Sequence, residues 1–321
     1  MRHWILASLI ALTPMAVQAG TLARVRAEGV VHCGGVIHPG LLFPAPDGSY
    51  HGLEADICRA IATAALGANA RVDVHPYTLP RSYDAIRDGT DEVYFLTVSD
   101  ILAAGLLPYV VPGPTVFYQS DAVLVPAASP AQRLTDLAGK LICGEPGTGP
   151  ERSLIAWFAA HHTDLVFSPF QEAEEMLDAF YAGRCDAVVN QRTSLAALML
   201  QAAEDGHPSR LLPDTVSAAP LMANTGRADA AWGAVVAWTV DTLLRGEMAG
   251  QPGPGGGTDP LPLAGAALGL APDWQSEVIK ATGNYGAIYA ANIGAGSPLN
   301  LPRGLNALWT DGGLMCPPFS E

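Results

Sequence analysis

The residues of this chain that could do chemistry are scattered, and their spacing does not assemble a catalytic set. Asp100, Glu145 and the pair His161-His162 are of the types that move protons. The two histidines close an apolar helical stretch and are expected to face solvent. No Ser-His-Asp set, nucleophile elbow or metal-ligand spacing accompanies them. Gly250-Gln-Pro-Gly-Pro-Gly-Gly-Gly257 is a flexible loop, and without a following Gly-Lys-Ser/Thr it is no phosphate loop. Gly147-Thr-Gly-Pro-Glu reads as a helix start. Its free amides suit an anionic or carbonyl oxygen, and Pro150 fits the first helical turn. Thr148 there serves either such an oxygen or plain helix capping.

Five cysteines are present, Cys33, Cys58, Cys143, Cys185 and Cys316. None has the close spacing of a zinc or redox site, so neither a metal nor a cofactor is expected. In an oxidising compartment they read as two disulfides and one leftover thiol. Cys33 ends a strand and Cys58 lies on the helix that packs over it, which makes them the first pair. Cys143 and Cys185 would staple the second half. The alternative is that all five are small buried hydrophobes.

The elements that must position these residues alternate strand and helix, as in α/β lobes. Val30 to Cys33 reads as a strand. Ile57, Ile61, Ala64 and Ala65 recur at helical spacing, with Glu54, Asp56 and Arg59 on other faces. Further strands are expected at Val72 to His75 and Glu92 to Leu96, with a short helix from Tyr83 to Arg87. A second unit restarts near Leu134. Its strands are Leu141 to Cys143, Leu165 to Phe167 and Ala187 to Val189. Its helices are Glu151 to Ala160 and Ala173 to Tyr181. Phe117 to Val125 carries the chain into this unit and Leu211 to Ala219 brings it back. An apolar helix follows from Trp232 to Leu244, and Ile279 begins a helical tail. Two such units in succession imply two lobes with a cleft between them.

Met1-Arg2-His3 and the apolar run to Val17 precede Val17-Gln18-Ala19, a pattern expected of a cleavable signal peptide spanning residues 1–19. The mature chain is then expected in the periplasm. No other segment is apolar enough to cross a bilayer, so no membrane insertion is expected after cleavage. The 321 residues carry a formal net charge of −14, which argues against nucleic acid or an anionic membrane as partner.

Specific motifs sharpen this picture. Gly52-Leu-Glu-Ala-Asp-Ile-Cys-Arg-Ala, after Val30-Val-His-Cys-Gly-Gly, resembles the opening of periplasmic solute-binding proteins for amino acids. Asp273-Trp274, Gly283-Asn-Tyr-Gly, Gly294-Ala-Gly-Ser-Pro-Leu and Arg303-Gly-Leu-Asn-Ala-Leu-Trp-Thr-Asp-Gly-Gly look like the C-terminal signature of general L-amino-acid-binding proteins. Those are the periplasmic receptors of ABC importers. Thr21-Leu-Ala-Arg-Val-Arg-Ala-Glu-Gly and Ala182-Gly-Arg-Cys-Asp add to the match, which spans nearly the whole mature chain.

The resemblance implies a two-lobed α/β periplasmic-binding-protein-like fold with a hinge and an interlobe cleft. Residues 20–120 plus 217–321 would form lobe 1, and 121–216 lobe 2. It implies a small-molecule ligand, an ABC permease as partner, a monomer, and no enzymatic activity. An amino-acid pocket needs an Arg fork for the α-carboxylate and a carboxylate for the ammonium. Counted without gaps, the segment after Glu92 keeps Thr97 and Ser99 as hydroxyl donors but puts Ala104 at the family's Arg position. The acidic position after Gly183-Arg-Cys-Asp falls on Gln191, beside Asn190. Asp100 and Arg192 are the nearby charges, with signs opposite to those the family uses at the two places. Phe43 and Tyr83 match aromatic positions that flank the ligand side chain, against the alternative of core packing.

The expected pocket is therefore Phe43, Tyr83, Thr97, Ser99, Thr148 and Gln191, and the expected ligand a small polar or neutral molecule rather than a zwitterion. Two alternatives share the fold: a non-transport accessory or signalling protein, and a dehydratase-like enzyme.

Overall fold

The structure is a computed structural model, and it describes residues 20–227, 229–250 and 265–317. The expected signal segment and residues 251–257 of the Gly/Pro-rich loop lie outside the described residues.

After α1 (Thr21–Glu28) the chain lays down β1 (Val30–Val36), a short hairpin of β2 (Phe43–Pro44) and β3 (Tyr50–His51), and α2 (Leu53–Leu66). It continues through β4 (Arg71–Tyr77), α3 (Leu79–Asp88), β5 (Val93–Thr97), α4 (Val98–Ala103), β6 (Val110–Val111) and β7 (Thr115–Gln119). Next come β8 (Asp121–Pro126), β9 (Leu141–Gly144), α5 (Gly149–Ala160), β10 (Val166–Pro169), α6 (Ala173–Tyr181), β11 (Ala187–Gln191), α7 (Arg192–Glu204) and β12 (Ser209–Leu211). The last long elements are β13 (Ala219–Gly226), α8 (Ala230–Met248), α9 (Trp274–Thr282) and α10 (Tyr285–Asn292).

Two sheets carry the architecture. The first has the order β4-β1-β5-β13-β6, with β7 also paired to β13, and the second the order β10-β9-β11-β8-β12. β1, β4 and β5 run parallel, as do β9, β10 and β11, while β13 and β8 run against their neighbours. The chain passes between the sheets at Ser120 and again through 212–218. At these crossings Ser217 Oγ donates to Asp121 Oδ2 at 2.7 Å, and the Asp121 amide donates to Ser217 Oγ at 3.0 Å.

Helix α2 is enclosed rather than half-exposed. Leu53, Ile57, Ala60 and Ile61 are fully buried, and so is Glu54, at 3% exposure. The reading of Glu54 as a residue of the polar face is corrected here: α2 packs on β1 and β4, with α8 and α9 on it as well, and the Glu54 carboxyl lies against Gly35 of β1. The Cys33–Cys58 disulfide ties β1 to α2, and Cys143–Cys185 ties β9 to the turn before β11. Cys316 takes part in neither.

The C-terminal motifs brace the first sheet. Asn284 caps α10 by accepting from the Ala287 amide. Arg303 lies over the rings of Tyr285 and Tyr289, at 5.2 and 4.9 Å, and pairs with Glu247 at 2.9 Å. Asn306 accepts from the Tyr118 amide and donates to the Tyr118 carbonyl, holding β7 just before the crossing. The tail helix begins at Trp274, one turn before Ile279, and breaks at Gly283 before α10.

Candidate functional site

A cleft of about 910 Å³ opens between the two sheets, a size suited to a small organic molecule. One wall comes from the ends of β1 and β5 with the starts of α2 and α4. The other comes from the starts of α5 and α7 with the end of β11, and Gln119, Asp121 and Ser217 of the crossings form its back.

Thr97, Ser99, Thr148 and Gln191 all line this cleft, whereas Phe43 and Tyr83 lie outside its lining. Phe43 is on β2, tilted against His51 with 6.4 Å between ring centroids. Tyr83 packs against the cluster of Ile86, Leu96 and Ile101. Burial pushes its hydroxyl pKa up, and the Asp100 charge adds to this.

The lining hydroxyls differ in what they are free to do. Thr97 is the N-cap of α4; it accepts from the Asp100 amide and donates to Asp100 Oδ2 at 2.6 Å, so its proton is used within the chain. Thr148 caps α5, donating to the Glu145 carbonyl at 2.7 Å and accepting from the Glu151 amide. Glu151 itself accepts from the Gly147 amide at 2.6 Å, so the chain's own carboxylate meets the positive end of this helix. Ser99 is exposed on the cleft wall.

The charges of the site depart from the ungapped count. Ala104 is the C-cap of α4 and does not line the cleft; its carbonyl accepts from Arg87. Asp100, at the third position of α4, does line it. Val98–Ala103 forms a helix that turns Ala104 toward the Ile86 and Tyr94 cluster. Arg192 points behind the cleft into a separate cavity of about 130 Å³, where Nε donates to Ser120 Oγ and Nη2 to the Asp214 carbonyl. His38 lines the cleft, and burial lowers its pKa against the opposing pull of Asp100.

Two acceptors in the cleft have no partner: Glu54 Oε2 and Gln191 Oε1 are buried without a hydrogen bond. Burial in apolar surroundings pushes the Glu54 carboxyl well above the usual carboxylate range. Sequence reasoning missed Glu54, and its only available signal was its place in the first turn, two residues after Gly52. Gly52 has φ 125°, and a Cβ there would overlap the Leu41 backbone. Among the described residues no group of three or more His, Cys, Asp or Glu side chains could hold a metal ion, and no helix is long and apolar enough to cross a membrane.

No protein-family model matches the chain. It is 32% identical to the General L-amino acid-binding periplasmic protein AapJ of Rhizobium johnstonii, over 97% of this chain and 96% of the relative. It is also 32% identical to the Glutamate/glutamine/aspartate/asparagine-binding protein BztA of Rhodobacter capsulatus, over 97% of each. Among solved structures, an ABC transporter periplasmic binding protein from Brucella ovis with glutathione bound superposes with TM-score 0.74 at 30% identity. That match covers 93% of this chain and 98% of the other. With near-complete coverage at this identity, the chain belongs to the periplasmic amino-acid-binding proteins of ABC transporters.

Proposed function

We propose that the protein is an exported solute receptor that delivers a small polar molecule other than a standard amino acid to an ABC permease. The observation that carries the ligand reading is the charge pattern of the cleft. Gln191 stands where an ammonium would need a carboxylate, Arg192 is turned away, and Asp100 occupies the wall where a carboxylate grip would be wanted. A zwitterion would find no carboxylate at residue 191, and its own carboxylate would face Asp100 rather than an arginine.

Residues 20–120 with 217–321 act as one lobe and 121–216 as the other. The crossings at Ser120 and at 212–218 form the hinge, and bound solute favours the closed form. The separate strand sets of the two sheets support this division. The relatives' names and the two disulfides support a periplasmic location. The protein carries out no catalysis, in keeping with relatives named as binding proteins, and it works as a monomer. The test is to purify it from the periplasm, denature it and identify what is released. A stoichiometric small molecule without an α-amino-acid group is expected, and a stoichiometric L-amino acid would overturn the reading.

A further inference from the structure

We propose, resting on the reading of the cleft as a solute site, that the solute is a small organic amine or guanidine without a carboxylate, and that Glu54 receives its nitrogen. Glu54 is 3% exposed, lines the cleft from the first turn of α2, and keeps Oε2 without a hydrogen-bond partner. A buried acceptor left unpaired is costly, and a ligand N–H recovers that cost on binding. Gln191 Oε1, on the opposite wall, is a second unpartnered acceptor, so both walls ask the ligand for donors.

The surrounding charges select a cation over an anion. Glu54, Asp100, Asp121 and Glu145 are in the lining, and Arg152 is the arginine among them. Arg152 is exposed and donates to the Gly147 carbonyl at 2.9 Å. The α5 N-terminus, the natural seat for a carboxylate, is taken by Glu151. A carboxylate-bearing solute would therefore meet an acidic field, while an ammonium or guanidinium is drawn into it. Burial raises the pKa of Glu54 in the empty cleft, and a cation seated against it would work the other way, favouring the carboxylate.

Titration calorimetry on the ligand-stripped protein tests this with propylamine, putrescine and agmatine, set against L-glutamate, L-glutamine and glutathione. At least one amine is expected to bind, and Glu54→Gln should weaken that binding tenfold or more while melting no lower than the parent. An unchanged affinity in Glu54→Gln overturns the role of Glu54. Binding of glutamate, glutamine or glutathione with no heat from any amine overturns the inference and leaves the receptor reading standing. No heat from either set overturns both.

Discussion

Gly35 and Glu54 are fitted to each other: the carboxyl of Glu54 lies in the space a side chain at residue 35 would fill. A Cβ on Gly35 would overlap Glu54 Oε2 and come within 2.9 Å of Leu42 Cδ2. β1 therefore reaches the cleft as Cys33-Gly-Gly-Val, bare on the side where α2 delivers its acid. Gly35→Ala should cost about 1–3 kcal/mol through overpacking. Chemical denaturation of Gly35→Ala, Glu54→Ala and the double variant measures the coupling. The double variant is expected to lose less than the sum of the singles, and strict additivity would mean the two residues do not meet.

The raised pKa of Glu54 fixes a pH signature for the ligand-free protein. The folded-state value lies well above that of an unfolded glutamate, with burial as the cause. Between those two values the folded chain holds the extra proton, so its stability falls as pH rises through that window. Glu54→Gln removes the term. The variant should melt above the parent at pH 8, and the gap should close toward pH 4. A gap independent of pH, or one that widens on acidification, would contradict a raised pKa at Glu54.

Charge reversal at the cleft wall should restore the missing amino-acid grips. Asp100→Arg combined with Gln191→Asp places a cation on α4 and an anion at the end of β11, both in the lining. The pair should gain measurable affinity for L-glutamine in calorimetry, at a cost of about 1 kcal/mol in stability because the Thr97 capping box is lost. Ala104→Arg with Gln191→Asp should gain nothing, since residue 104 lies off the cleft. Equal gains from the two pairs would refute the placement of Asp100.

Local pattern made much of this fold readable. Cys33 and Cys58 sit on a strand and on the helix above it, and α6 runs from Ala173 to Tyr181, where periodicity puts it. Other features depend on what covers an element. Glu54 reads as a surface residue by helical phase, and it is buried because its carboxyl packs against Gly35 of β1. The short helix α4 has a local signal: Thr97-Val-Ser-Asp100 has the spacing of a capping box, which marks a helix start. The brace of Asn306 on Tyr118, beside the crossing at Ser120, spans 188 residues, beyond any local pattern.

A thermal-shift panel on the ligand-stripped protein tests the central claim most directly. It sets the standard L-amino acids beside amines, neutral amides, sugars and keto acids, each near saturation. The account predicts that the L-amino acids leave the melting temperature unchanged, while a ligand lacking the α-amino-acid group raises it by several degrees. Stabilisation by a standard L-amino acid would show that the zwitterion contacts are intact, and would contradict it.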